Sequence, residues 1–89
     1  MNDIRIEKID EGEVEKRNLR TWPVWEKEVS EFDWVYTAEE HCYIIEGKAE
    51  VTTDTGTVRI GEGDYVVFPA GLSCRWKVER PVRKYYDLR

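Results

Sequence analysis

Two segments decide how this chain folds. Glu40-His41-Cys42-Tyr43-Ile44-Ile45-Glu46-Gly47 is followed, fifteen residues later, by Gly63-Asp64-Tyr65-Val66-Val67-Phe68-Pro69-Ala70-Gly71-Leu72-Ser73-Cys74. Each is a β-strand signal that ends at a glycine-bearing turn. Successive residues of a strand point to opposite faces. Yet Cys42-Tyr43-Ile44-Ile45 and Tyr65-Val66-Val67-Phe68 are apolar on both faces. One face of each strand therefore lines an interior. The other needs a cover, because an exposed apolar sheet face is an association surface. The segment carrying Trp22 and Trp25 is one candidate cover. A second copy of the chain is the other, and since two-fold dimers are the commonest oligomers, a homodimer is expected.

Working outward, Ile4 to Ile9 alternates apolar and charged residues as a half-buried strand does, and Glu11 to Arg20 is polar enough for a loop or a short helical turn. Pro23 bars a central-strand position; Trp25 to Val29 reads as a short or edge strand and Phe32 to Tyr36 as a clearer one. Gly47-Lys48 is expected to turn the chain into Ala49 to Thr53, and Asp54-Thr55-Gly56 to turn it into Val58 to Ile60. Cys74 to Val78 alternates, Pro81 is expected to break it, and Val82 to Leu88 forms a last strand. About eight short strands with regularly spaced turns predict an all-β sandwich or barrel in a single domain spanning 1–89.

Composition narrows the function classes. The net charge is −5, from 14 basic and 19 acidic residues with no basic stripe, which excludes nucleic acid as a partner. With 37% of residues charged, no stretch approaches the roughly 20 apolar residues of a membrane helix. Met1-Asn2-Asp3-Ile4-Arg5 lacks the apolar run of a secretory signal, so a cytoplasmic location is expected. Cys42 and Cys74 read as reduced thiols. A short chain must make a dense core, and four Trp, five Tyr and two Phe supply large buried areas.

These residues resemble the cupins. Glu40 followed by six residues and Gly47 matches the end of the first cupin motif, and Gly63, Pro69 and Gly71 match the second at its spacing. The motif regions fall at 34–47 and 63–78. The run from Trp22 to Trp34, the Cys42-Tyr43-Ile44-Ile45-Glu46-Gly47-Lys48 segment and Val82-Arg83-Lys84-Tyr85-Tyr86 are similar to very small single-domain cupins. That group is related to the cupin modules of ureidoglycine aminohydrolase and of an ethanolamine-utilisation protein. The resemblance implies a double-stranded β-helix, a jelly-roll-like barrel. It also implies a metal held by three histidines and a glutamate, a set suited to Mn, Fe, Ni or Zn. Here the histidine positions are occupied by Trp34, Tyr36 and Cys74, and only Glu40 remains. The metal is therefore not expected to carry over, with a divergent site on Glu40 and Cys74, or a zinc site that adds Cys42, as the alternative.

Glu40, if inward, is either a general acid–base raised by burial or a structural acid bonded to Tyr36 or a tryptophan N–H. Cys74 is either a reactive thiolate or a small buried hydrophobe. Trp34, Tyr36, Trp76 and Tyr86 form an aromatic wall or fill the core, and Cys42 shares the parity of Glu40. Lys84 keeps the register of Val82, Tyr86 and Leu88. Pointing inward it would pair with Glu40; displaced by a bulge it would be solvated. His41, Arg75, Lys77 and Arg83 are expected on the outer face. The expected function is metal-independent binding of a sugar or metabolite in an aromatic pocket of Trp34, Tyr36, Glu40, Cys42, Cys74, Trp76 and Tyr86. The alternative is an isomerase, lyase or aminohydrolase-like enzyme in which Glu40 works with Tyr36 or Lys84.

Overall fold

The computed structural model describes residues 4–89; Met1 to Asp3, read above as part of an N-terminus without a signal, lie outside the described residues. Seven strands form one sheet rolled on itself: β1 (Arg5–Lys8), β2 (Val24–Lys27), β3 (Ser30–Val35), β4 (Glu40–Thr53), β5 (Gly56–Gly61), β6 (Asp64–Phe68) and β7 (Ser73–Leu88). The order is β1-β6-β4-β7-β2, with β3 also paired to β7 and β5 to β4, every pairing antiparallel. The turn spacing predicts a sandwich or barrel, and the jelly-roll-like barrel is the one that the cupin resemblance implies.

Two expected breaks are absent. β4 runs straight through Gly47, and β7 runs through Pro81. The cause is a shared irregularity: the β4–β7 register shifts between Ile44 and Ala49, opposite the segment holding Pro81. A bulge locally suspends the ladder, so a proline without an N–H is tolerated there. Gly47 is required at this point. Its φ is +101°, and a Cβ would lie 2.2 Å from the Pro81 carbonyl oxygen.

Parity then sorts the core. Cys42 and Ile44 of β4, Val66 and Phe68 of β6, and Trp76, Val78 and Val82 of β7 are buried in the barrel interior. On the opposite face Tyr43, Ile45, Tyr65 and Tyr85 pack under a short helix α1 (Glu11–Lys16) and a 3-10 turn (Leu19–Thr21). Val14 and Leu19 are the buried plugs, and Trp22 closes the cluster. Asp10 caps α1 by accepting a hydrogen bond from the Glu13 N–H at 2.9 Å, which satisfies one of the free N–H groups of its first turn. The chain thus covers its own outer face, and a second copy is not needed for that purpose. Trp25, proposed with Trp22 as part of the cover, instead packs on Trp76 in the interior cluster.

Candidate functional site

Glu40 opens β4 at the parity of Cys42 and Ile44, so its carboxylate enters the barrel. In β7 the inward positions are Cys74, Trp76 and Val78; three exposed residues follow, and burial resumes in phase at Val82 and Lys84. Lys84 therefore points inward. Its Nζ donates to Glu40 Oε2 at 2.6 Å, the two side chains being only 6% and 9% exposed. The ammonium also lies 4.7 Å from the Trp25 ring centroid, 5.0 Å from Trp76 and 5.8 Å from Phe68. A buried lysine needs such partners, since removing a charge from water costs several kcal/mol unless a counter-charge and polarisable faces replace the solvent.

The aromatic frame around the pair is interlocked. Trp76 Nε1 donates to the Tyr36 hydroxyl at 3.2 Å, and Tyr36 stacks on Phe68 with centroids 4.5 Å apart. Phe32 stacks on Trp76 at 6.0 Å, and Trp25 meets Trp76 edge-on at 5.9 Å. Burial, reinforced by the charge of Glu40, pushes the Tyr36 phenol well above its ordinary range, so it stays neutral. A cavity of about 280 Å³ opens beside this frame. Trp25, Phe32, Trp34, Tyr36, Trp76 and Tyr86 line it, Val35, Thr37, Ala38 and Leu88 complete it, and Glu40 and Lys84 are its charged groups. Trp34, Val35 and Leu88 are exposed and form its rim, whereas Glu40, Lys84, Tyr36 and Trp76 are buried at its deep end. Among the described residues Glu40 Oε1 has no hydrogen-bond partner and no buried side-chain polar atom lacks one, so this oxygen is open to the cavity.

The thiols stand apart from this cavity. Cys42 is fully buried between β6 and β7, opposite Val66 and Tyr86, and burial pushes its thiol up to about 12 against the pull of Lys84. The Cys74 Sγ lies 3.6 Å from the Trp34 carbonyl oxygen, and burial pushes this thiol up to about 11. Neither lines the cavity, which removes both from the expected pocket. The structure adds Trp25 and Phe32, neither of which the sequence reading assigned to the pocket. Phe32 carried a signal, for it shares the parity of Trp34 on β3 and of Tyr36 just beyond it. Trp25 carried none, because its place depends on pairing with Lys84 across β2 and β7. His41 lies on the outer face, hydrogen-bonded to Glu39 and to the Tyr65 hydroxyl, each at 2.7 Å.

These residues do not fit a divalent metal. The positions implied for histidines hold an indole, a high-pKa phenol and a protonated thiol, and the remaining carboxylate is engaged by an ammonium. A cation placed there would face Lys84 as a like charge. Among the described residues no group of three or more His, Cys, Asp and Glu side chains is arranged to hold a metal. No helix among them is long and apolar enough to cross a membrane.

A jelly-roll barrel with its glutamate and its turn glycines and proline in cupin spacing defines a small cupin. Comparison with known proteins is more specific. The profile of the EutQ-like cupin domain matches residues 14–86, and the chain belongs to that family. A crystal structure of a DUF861-family protein from Thermotoga maritima superposes with a TM-score of 0.93 at 53% identity, covering 98% of this chain and 100% of that one. A putative ethanolamine utilization protein Q from Salmonella typhimurium gives a TM-score of 0.65 at 24% identity, over 71% of this chain and 51% of the other. A DUF861-family protein from Pseudomonas syringae gives 0.64 at 28%, over 71% of this chain and 28% of that one. The chain thus spans about half or less of the latter two proteins. No match is found among curated proteins.

Proposed function

We propose that the chain is a metal-independent binding barrel for a small, uncharged, hydroxyl-bearing molecule of monosaccharide size. The observation that supports this most directly is Lys84 Nζ on Glu40 Oε2 at 2.6 Å, a built-in cation beside the carboxylate that a metal site would need. The pair is neutral as a whole, so a strongly ionic ligand finds no counter-charge at the deep end. An accessible carboxylate oxygen accepts from a ligand hydroxyl, and the tryptophan faces pack against the apolar C–H face of a sugar or a planar group. About 280 Å³ lies at the small end of ligand pockets, which run from roughly 300 to 1,000 Å³.

Thermal unfolding in the presence of monosaccharides and polyols, and separately of Mn, Fe, Ni and Zn, tests this. A ligand near a hundred times its Kd stabilises by about 2.7 kcal/mol, readily seen as a rise in Tm. The expected result is a rise with at least one neutral polyol or sugar and none with any metal. Metal stabilisation at one ion per chain, abolished by Glu40→Gln, would overturn the reading.

A further inference from the structure

We propose that Lys84 captures small neutral aldehydes or ketones as an imine, with Glu40 as its proton carrier. This rests on the binding reading above and adds chemistry to the same cavity. Lys84 is the one buried lysine; Lys8, Lys16, Lys27, Lys48 and Lys77 are all exposed. Its amine lines the cavity and gives one hydrogen bond to protein, to Glu40, while the rest of its surroundings are aromatic faces. A group so placed is both reachable by a ligand and shielded from water, the combination that imine formation needs.

The step balances within the pair. The Lys84 ammonium gives a proton to Glu40 Oε2, leaving a neutral amine beside a carboxylic acid. The amine lone pair attacks the carbonyl carbon, a C–N bond forms, and the carbonyl π pair moves to oxygen, which takes the proton from Glu40. The nitrogen returns a proton to the Glu40 carboxylate. Glu40 then protonates the hydroxyl, which leaves as water as the nitrogen lone pair closes the C=N bond. The sum is carbonyl plus lysine ammonium giving iminium plus water, with Glu40 restored and no oxidant or reductant consumed.

The lining also selects the carbonyl class. Glu40 and Lys84 are the charged groups of the wall, and imine formation uses the lysine. The iminium keeps the positive charge and Glu40 already balances it, so the carboxylate of a keto acid would sit among tryptophans as an excess negative charge. A neutral hydroxyaldehyde or hydroxyketone meets no such obstacle, and its hydroxyl finds Glu40.

Reductive trapping reads this directly. The full chain is incubated with glycolaldehyde and cyanoborohydride, and the adducts are mapped by peptide mass spectrometry. The expected result is labelling of Lys84 at least about tenfold faster than of the exposed Lys27 and Lys48, slowed about tenfold or more by Glu40→Gln with the surface lysines unchanged. Pyruvate is expected to label Lys84 no faster than the surface. Wild-type labelling of Lys84 no faster than of Lys27 and Lys48 overturns the proposal, and this comparison decides even where Glu40→Gln does not fold. Equal labelling by pyruvate overturns the restriction to neutral carbonyls. A parallel NMR titration with sorbitol, which has no carbonyl, separates the two readings. Sorbitol shifts of the indole signals without Lys84 adducts leave binding standing and remove the imine; neither signal removes both.

Discussion

Replacing Lys84 with methionine keeps most of the aliphatic stem and deletes the ammonium. Glu40 is then left at the deep end of the cavity without its partner, on a side chain only 9% exposed. Removing one member of a buried ion pair costs about 3–5 kcal/mol, because the remaining charge stays desolvated and uncompensated. The lost contacts with Trp25 and Trp76 act in the same direction. For a domain of this size each kcal/mol moves Tm by roughly 4–8 °C, so a fall of about 12–40 °C is expected. Adding Glu40→Gln to Lys84→Met removes the orphaned charge. The double variant should recover to within about 1–2 kcal/mol of wild type, since an amide among aromatics is far less costly than a carboxylate. Guanidinium denaturation of wild type, both single variants and the double variant closes the cycle and isolates the coupling between the two side chains. A Lys84→Met variant within about 1 kcal/mol of wild type would refute the reasoning. It would mean that the pair is solvated and contributes no more than a surface bridge.

Two further outcomes follow from the geometry. Gly47→Ala should destabilise by about 2–3 kcal/mol or more in chemical denaturation, because its φ of +101° is combined with a Cβ position 2.2 Å from the Pro81 carbonyl oxygen. Gly56→Ala, at φ +142° but with nothing within 4 Å, should lose only the smaller backbone term of about 1 kcal/mol; equal losses would remove the close-approach argument. The Cys42 thiol, raised from 9.0 to about 12 by burial, makes stability depend on alkaline pH. A raised folded value means that the contribution is whole below pH 9 and is lost as pH rises toward 12. By pH 10.5 the loss is of order 2 kcal/mol, and Cys42→Ala should flatten that part of the profile; an unchanged slope would count against burial as its cause.

Parity was the legible part of the sequence. Alternation set Glu40 and Cys42 on the face opposite His41 and grouped Trp34 with Tyr36, without deciding whether Glu40 enters the barrel, and the turn residues located the bends at Asp54 to Gly56 and at Pro69 to Gly71. What parity does not carry is pairing. Trp25 was read as part of an outer cover because nothing local reveals that it lies opposite Lys84 in β7. Pro81 is a strand end by its local sequence, because the bulge that tolerates it, Pro81 and Val82 facing the single residue Gly47, is visible only once β7 is paired with β4. The same irregularity left the direction of Lys84 open, since one misplaced residue reverses every side chain beyond it. β4 is the strand that changes phase, its inward residues passing from Glu40, Cys42 and Ile44 to Ala49 and Val51, whereas β7 keeps its phase from Trp76 through Val78 to Val82 and Lys84. The cysteines failed for a different reason. Matching parity puts a side chain on the inner face but does not say what surrounds it, and Cys42 is fully buried and does not line the cavity.

The residues around Glu40 therefore form one set. A carboxylate this deep in an aromatic barrel needs a cation beside it. With indole, phenol and thiol at 34, 36 and 74, no imidazole nitrogen remains there to hold a metal ion as that cation. Of the side chains lining the cavity, Lys84 alone brings a positive charge to the acid, and Trp25, Trp76 and Phe68 gather around its ammonium. The aromatic residues then have two tasks that the sequence shows as one. They fill the volume that a small domain must bury, and they provide the faces that let a lysine stay charged in the interior.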